Sequence, residues 1–162
     1  MSDYSASKIA DWFLVRHSST MQRDEAVDEY LTQMKLHKLL YYAQGVYLAL
    51  FSKRLFNDDI LAWQHGPVVR DIYDRFKGSR ELDENITDDE MKNYEKILED
   101  TNRNMVLEVV YETYSSYSAG QLRNMTHEED PWKEAWGKSN GDDIISDESI
   151  KEYFKENIVE TD

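Results

Sequence analysis

A chain of 162 residues with 33 acidic and 19 basic side chains carries a formal charge of -14 at neutral pH, and it has no cysteine. The length suits one domain whose core needs no covalent staple, and the missing cysteines exclude disulfides, thiolate zinc sites and thiol catalysis together. A surface this acidic opposes binding to nucleic-acid phosphates or anionic lipid. A hydrophobic share of 40%, with 11 tyrosines and 4 tryptophans, separates the chain from acidic disordered segments, which lack such anchors. No apolar run reaches the roughly 18 residues that span a bilayer. The opening residues Met1 to Ser5 lack the basic and apolar regions of a signal peptide. The expectation is therefore a cytoplasmic protein with no membrane contact and no direct nucleic-acid binding. The charge is uneven: residues 35–80 hold 8 basic and 4 acidic side chains, whereas residues 81–162 hold 8 and 23. A mildly basic middle sits in an acidic frame.

In chain order, a first helix is expected from Ser5 or Ser7, with Ile9, Ala10 and Phe13 on one face. Residues 18–29 are polar and read as a linker or a frayed extension. The second helix is the clearest. Thr32 suits its N-cap, and Leu36, Leu39, Leu40, Ala43, Tyr47 and Leu50 recur at helical spacing around an internal Gly45. Leu55-Phe56 and Ile60 to Trp63 flank the turn formers Asn57, Asp58 and Asp59, which predicts extended segments or a small hairpin near 55–63. Pro67 suits the first position of a third helix carrying Val68, Val69, Ile72, Tyr73 and Phe76, with Gly78 just past its end. Thr87 and Glu90 form a capping box, with Ile86 and Met91 as its staple, for a long element that Thr101-Asn102 interrupts or kinks. Ser118 with Gln121 repeats that start signal. Asp130-Pro131 opens a short helix bearing Trp132 and Trp136 and closed by Gly137, and Ser146 caps a last helix with Ile150, Phe154 and Ile158 facing inward. The expected fold is a mainly α, single-domain bundle of six or seven helices with a minimal β component, and residues 159–162 form a frayed tail.

Three stretches, taken together and in order, resemble a known family. They are Lys35-Leu36-His37-Lys38-Leu39-Leu40-Tyr41-Tyr42-Ala43-Gln44, then Ala62-Trp63-Gln64-His65-Gly66-Pro67-Val68-Val69 with Tyr73 and Lys77-Gly78, and then Ser118-Ala119, Leu122 and Thr126-His127-Glu128-Glu129-Asp130-Pro131-Trp132-Lys133. With Ile150, Tyr153 and Phe154 at the end, they are similar to the Panacea antitoxin-domain family, also met as SocA-like or GepA-like phage-associated proteins. The resemblance covers about residues 9–154, so the chain reads as one Panacea-like domain over 1–162. It implies an antitoxin that neutralises a cognate protein toxin, with a prophage or mobile element as its setting. The toxins paired with this family, several of which act on nucleotides or RNA, imply a partner with a basic active face. Some members carry an added DNA-binding domain, for which this chain leaves no room.

The residues themselves offer no competing chemistry. There is no Gly-rich phosphate loop, no nucleophile elbow and no zinc-binding helix motif. The four histidines, His17, His37, His65 and His127, are not paired at metal-ligand spacing, and the carboxylates beside His127 suit a helix N-terminus. No catalytic, metal or cofactor residue is assigned, and the chain is not expected to be an enzyme. The partner-contact candidates are Lys35, Lys38, Tyr41, Tyr42, Trp63, His65, Arg70, Tyr111 and Tyr114. Against that reading, the two lysines suit snorkelling at a helix flank, His65 suits a turn, and Tyr111, Tyr114 and Tyr117 suit a helix-packing stripe. Gly66, Pro67, Gly78, Thr126, His127, Asp130, Pro131 and Trp132 are read as structural motif positions. The rival function is a proteolytic adaptor that delivers a client to a protease; a hydrolase with an unrecognised site is the third.

Overall fold

A computed structural model describes residues 4–23, 29–139 and 143–159. Among these residues it has eight helices and one small antiparallel sheet. The helices are α1 (Ala6–Arg23), α2 (Gln33–Phe51), α3 (Arg70–Arg75), α4 (Asp88–Leu98), α5 (Thr101–Tyr114), α6 (Ala119–His127), α7 (Asp130–Ser139) and α8 (Asp147–Asn157). The strands β1 (Leu61–Trp63), β2 (Gly66–Val68) and β3 (Asp143–Ile144) are ordered β2-β1-β3.

The fold is built round α2. Every residue from Leu36 to Ala49 is buried, so this helix is wrapped on all sides, as a helix without a polar face must be. It packs on α1, α5, α6, α8 and β2. Thr32 caps it by accepting from the Lys35 N–H. Gly45 has a packing cause: a Cβ there would lie 2.2 Å from the Phe154 ring of α8. Capping boxes at Thr87/Glu90 and Ser118/Gln121 start α4 and α6, and Ser146 caps α8. The long element divides at Glu99-Asp100, where Asp100 accepts from Arg103 N and caps α5; this break accounts for the eighth helix.

Four local expectations need correction. First, the hairpin pairs Leu61–Trp63, at the end of the expected 55–63 segment, with Gly66–Val68 beyond it, so Leu55-Phe56 is not one of its strands. The turn formers at 57–59 serve other groups: Asp58 accepts from the Ala6 N–H at 2.8 Å, and Asp59 pairs with Arg54 at 3.0 Å. The buried Gln44 amide takes the strand-like hydrogen bonds of this segment, accepting from Leu55 N at 2.6 Å and donating to Phe56 O at 3.0 Å. Second, Pro67 lies in β2, an edge strand that tolerates proline, so α3 starts only at Arg70. Gly78, with φ of +84°, lies in the turn beyond the Phe76 cap. Third, α1 runs through residues 18–23; of the rest of the 18–29 segment, residues 24–28 lie outside the described residues and the Glu29 carbonyl accepts from His17 Nε2. Fourth, α7 continues through Gly137 to Ser139. Val159 N donates to Phe154 O at 2.8 Å, and the remainder of the expected tail, residues 160–162, lies outside the described residues.

Candidate functional site

The largest change that the fold makes to the sequence reading concerns the tyrosines. Tyr41 and Tyr42 are fully buried, and their hydroxyls donate to the two carboxylate oxygens of Glu129, at 2.9 and 2.8 Å. Tyr114 stacks on Tyr42 with centroids 4.0 Å apart. Tyr111 donates its hydroxyl to His17 Nδ1 at 2.8 Å, because Nε2 of that ring donates to the Glu29 carbonyl. All four tyrosines are buried and pack in the interior. Glu129, at the junction of α6 and α7, is 6% exposed, and burial pushes its carboxyl up to about 7. The same burial, with the neighbouring carboxylate, raises the phenols of Tyr41 and Tyr42 above their ordinary range. Glu129 was missed because three adjacent carboxylates before a helix read as dipole partners. The signal that points to it is the Tyr41-Tyr42 pair itself, two phenols on an apolar helix that need acceptors.

Of the remaining partner candidates, Lys38, Trp63 and His65 line one pocket, and Arg70 lies over the Trp63 ring. The pocket has a volume of about 580 Å³ and is lined by Gln33, Met34, His37 and Lys38 of α2, Trp63, Gln64, His65 and Val68 of the hairpin, Tyr73 of α3 and Trp136 of α7. The β1–β2 turn places Trp63 and His65 on its wall. Gly66 makes this possible twice over: its φ of +119° closes the turn, and a Cβ there would lie 2.8 Å from Lys38 Cε. Trp63 meets Tyr73 edge-on at 5.1 Å, with the Arg70 guanidinium 5.0 Å above its ring. Trp132 donates its indole N–H to the Trp63 carbonyl at 2.8 Å, fixing α7 to β1. His127, Trp132 and Trp136 stack in series, with centroids 4.0 and 5.5 Å apart. Trp132 is thus core, and the half-buried Trp136 packs against that core while also lining the pocket. Met34 stands at the edge, 45% exposed.

The electrostatics of this pocket depart from those of the chain. Lys38 is 2% exposed, and burial followed by repulsion from Arg123 lowers its ammonium to about 8. Burial and then Lys38 lower His37 to about 3; its ring is neutral, accepting from Val69 N at 3.2 Å and donating to Gln33 Oε1 at 3.1 Å. Burial, then Arg123 and Lys38, also lower His127. Lys35 lies away from this pocket and donates its ammonium to the Ser115 carbonyl. Thr126 is buried and donates to the Arg123 carbonyl at 2.9 Å. Asp130 and Pro131 open α7, with Asp130 exposed. Among the described residues, no group of three or more His, Asp or Glu side chains is placed to hold a metal. No helix among them is long and apolar enough to cross a membrane.

A central helix wrapped by others, with a side pocket walled in part by a short hairpin, defines a small, mainly helical domain. The family described as antitoxin SocA-like, Panacea domain, matches residues 36–133, and the chain belongs to that family. The match starts in α2 and ends in α7, and it includes seven of the ten residues that line the pocket. No curated protein and no solved structure matches the chain.

Proposed function

We propose that this chain is an antitoxin that neutralises a cognate protein toxin by direct, stoichiometric binding and performs no catalysis of its own. Membership of the SocA-like, Panacea family carries the reading. The supporting feature of the chain is a pocket of about 580 Å³ with aromatic walls and an exposed methionine at its edge, the kind of surface that receives a partner's side chains. The interface comprises Trp63, His65 and Arg70 round this pocket, with Lys38 at its base. The acidic frame outside it, with 23 acidic side chains in residues 81–162, suits a toxin whose active face is basic and directed at nucleotides or RNA. The setting is a prophage or other mobile element in the cytoplasm. The test is co-expression with the protein encoded beside it. The expected result is a complex that survives size exclusion, in which the toxin is inactive without any protease. Neutralisation that appears only when a protease is added would overturn the reading in favour of an adaptor.

A further inference from the structure

The acidic count makes one feature of the pocket unexpected. Among the described residues, no carboxylate lines it, although the chain has 33. Its base instead carries Lys38, nine-tenths or more buried, and no acceptor among the described residues takes up the ammonium by a hydrogen bond or ion pair. Arg123 repels this lysine, and both cations disfavour charge on His127. Arg123 Nε and His127 Nε2 are themselves buried without a hydrogen-bond partner. The buried acid at the α6–α7 junction, Glu129, has both oxygens occupied by Tyr41 and Tyr42. Keeping a buried cation uncompensated is costly, and an anion brought to it recovers that cost.

We propose that this pocket, between α2, the β1–β2 hairpin and α7, receives a carboxylate side chain of the partner polypeptide flanked by an apolar or aromatic residue, with Lys38 as the cation that holds it. The assignment rests on the reading that the chain acts by binding a protein. Lys38 is a compact point charge with donors to spare, and it suits a single carboxylate. The flank is set by Trp63, Tyr73 and Trp136, which offer ring faces and edges in place of further charge. A phosphate with two charges, or a polyanion, would meet the opposing field of a chain at -14. A lone carboxylate on an apolar carrier meets less of that field and buries its carrier against the rings. Lys38, Trp63 and His65 therefore act as one anchor, while the acidic frame outside contributes attraction at long range.

The experiment uses the chain alone and a matched pair of capped dipeptides, phenylalanyl-aspartate amide and phenylalanyl-asparagine amide, with inorganic phosphate as a third probe. Binding is followed by the tryptophan indole resonances in two-dimensional NMR. The aspartate peptide is expected to shift the Trp63 and Trp136 signals and to bind at least about tenfold more tightly than its neutral twin, roughly the value of one charge-assisted hydrogen bond. Lys38→Met, which keeps the length of the side chain, is expected to erase the difference. Equal binding of the two peptides by the wild-type chain overturns the proposal without any variant. So does a preference that survives Lys38→Met, or phosphate saturating the same signals while the peptides do not. A stable toxin complex formed by a chain that binds neither peptide overturns the pocket assignment and leaves neutralisation by direct binding intact.

Discussion

Glu129→Gln probes the buried centre of the fold, and its effect can be worked out in sign and size. Burial holds the Glu129 carboxyl up at about 7, although hydrogen bonds from Tyr42 and Tyr41 favour its charged form. In the unfolded chain the group returns to its ordinary value of 4.5. Between those limits the folded state holds a proton that the unfolded state has released. The stability contributed by this group is therefore complete below the unfolded value and is lost as pH rises through about 7. At about 1.4 kcal/mol per pH unit, the loss comes to roughly 3 kcal/mol. His37 acts in the opposite direction. Its ring is lowered to about 3 from 6.5, so its contribution is complete above 6.5 and is lost as pH falls. The two slopes overlap, and the wild-type profile by itself identifies neither group. Glutamine removes the titration while its oxygen still accepts from one tyrosine and its amide donates to the other hydroxyl. Urea unfolding of both proteins, from about pH 5 to about pH 8, gives a difference in which His37 cancels. The variant is expected to gain on the wild type by about 2–3 kcal/mol across that range. Parallel curves would refute the argument, since they would mean that Glu129 is ionised throughout.

Two further substitutions test packing and the pocket wall. Gly45→Ala should destabilise by about 1–3 kcal/mol through overpacking, although alanine is the better helix former, because its Cβ would lie 2.2 Å from the Phe154 ring; thermal melts should show the loss, and Phe154→Leu in the same chain should relieve part of it. Trp63→Ala should cost less than the roughly 3 kcal/mol expected of a fully buried ring, because Trp63 is only half-buried, yet it should weaken the toxin complex at least about tenfold. A melt paired with a binding titration checks both halves, and a large stability loss with unchanged affinity would return Trp63 to a purely structural role.

The helices were legible because their signals are local. Thr87 with Glu90 and Ser118 with Gln121 satisfy orphan amides within one turn, and no distant residue can cancel that gain. The central helix was legible from its apolar spacing, yet its all-round burial was not, since that follows from five other elements packing on it. What failed was chemistry settled across the chain. Residues 55–56 have extended-segment composition, but the amide that completes their hydrogen bonds belongs to Gln44, on the preceding helix. The proline rule pointed to a helix at Pro67; strand pairing with Ala62, which is invisible to local rules, decided otherwise. In the same way Tyr41 and Tyr42 looked available for a partner until Glu129, at sequence separations of 88 and 87 residues, supplied their acceptor.

The distribution of charge links the fold to the proposed interface. A net charge of -14 on a chain of this size raises self-repulsion, which every added surface carboxylate increases. Distance and water screen such surface charges, with a Debye length of about 8 Å at physiological salt. Lys38 gains little from them, since it is enclosed by α2, the hairpin and the Arg123 side of α6, and burial rather than attraction dominates its titration. The acidic frame and the pocket are thus separate electrostatic systems. On the proposed reading, the frame acts at a distance and weakens with salt, so it governs how fast a basic toxin arrives. The pocket acts on contact with little screening, so it governs how long the toxin stays. On this division, added salt should slow association and leave dissociation nearly unchanged, whereas Lys38→Met should speed dissociation and leave the salt dependence of association intact. Stopped-flow mixing of the two partners separates the rates. A Lys38→Met variant whose defect lies in the association rate would show that the buried lysine belongs to the long-range field after all, and the division would fail.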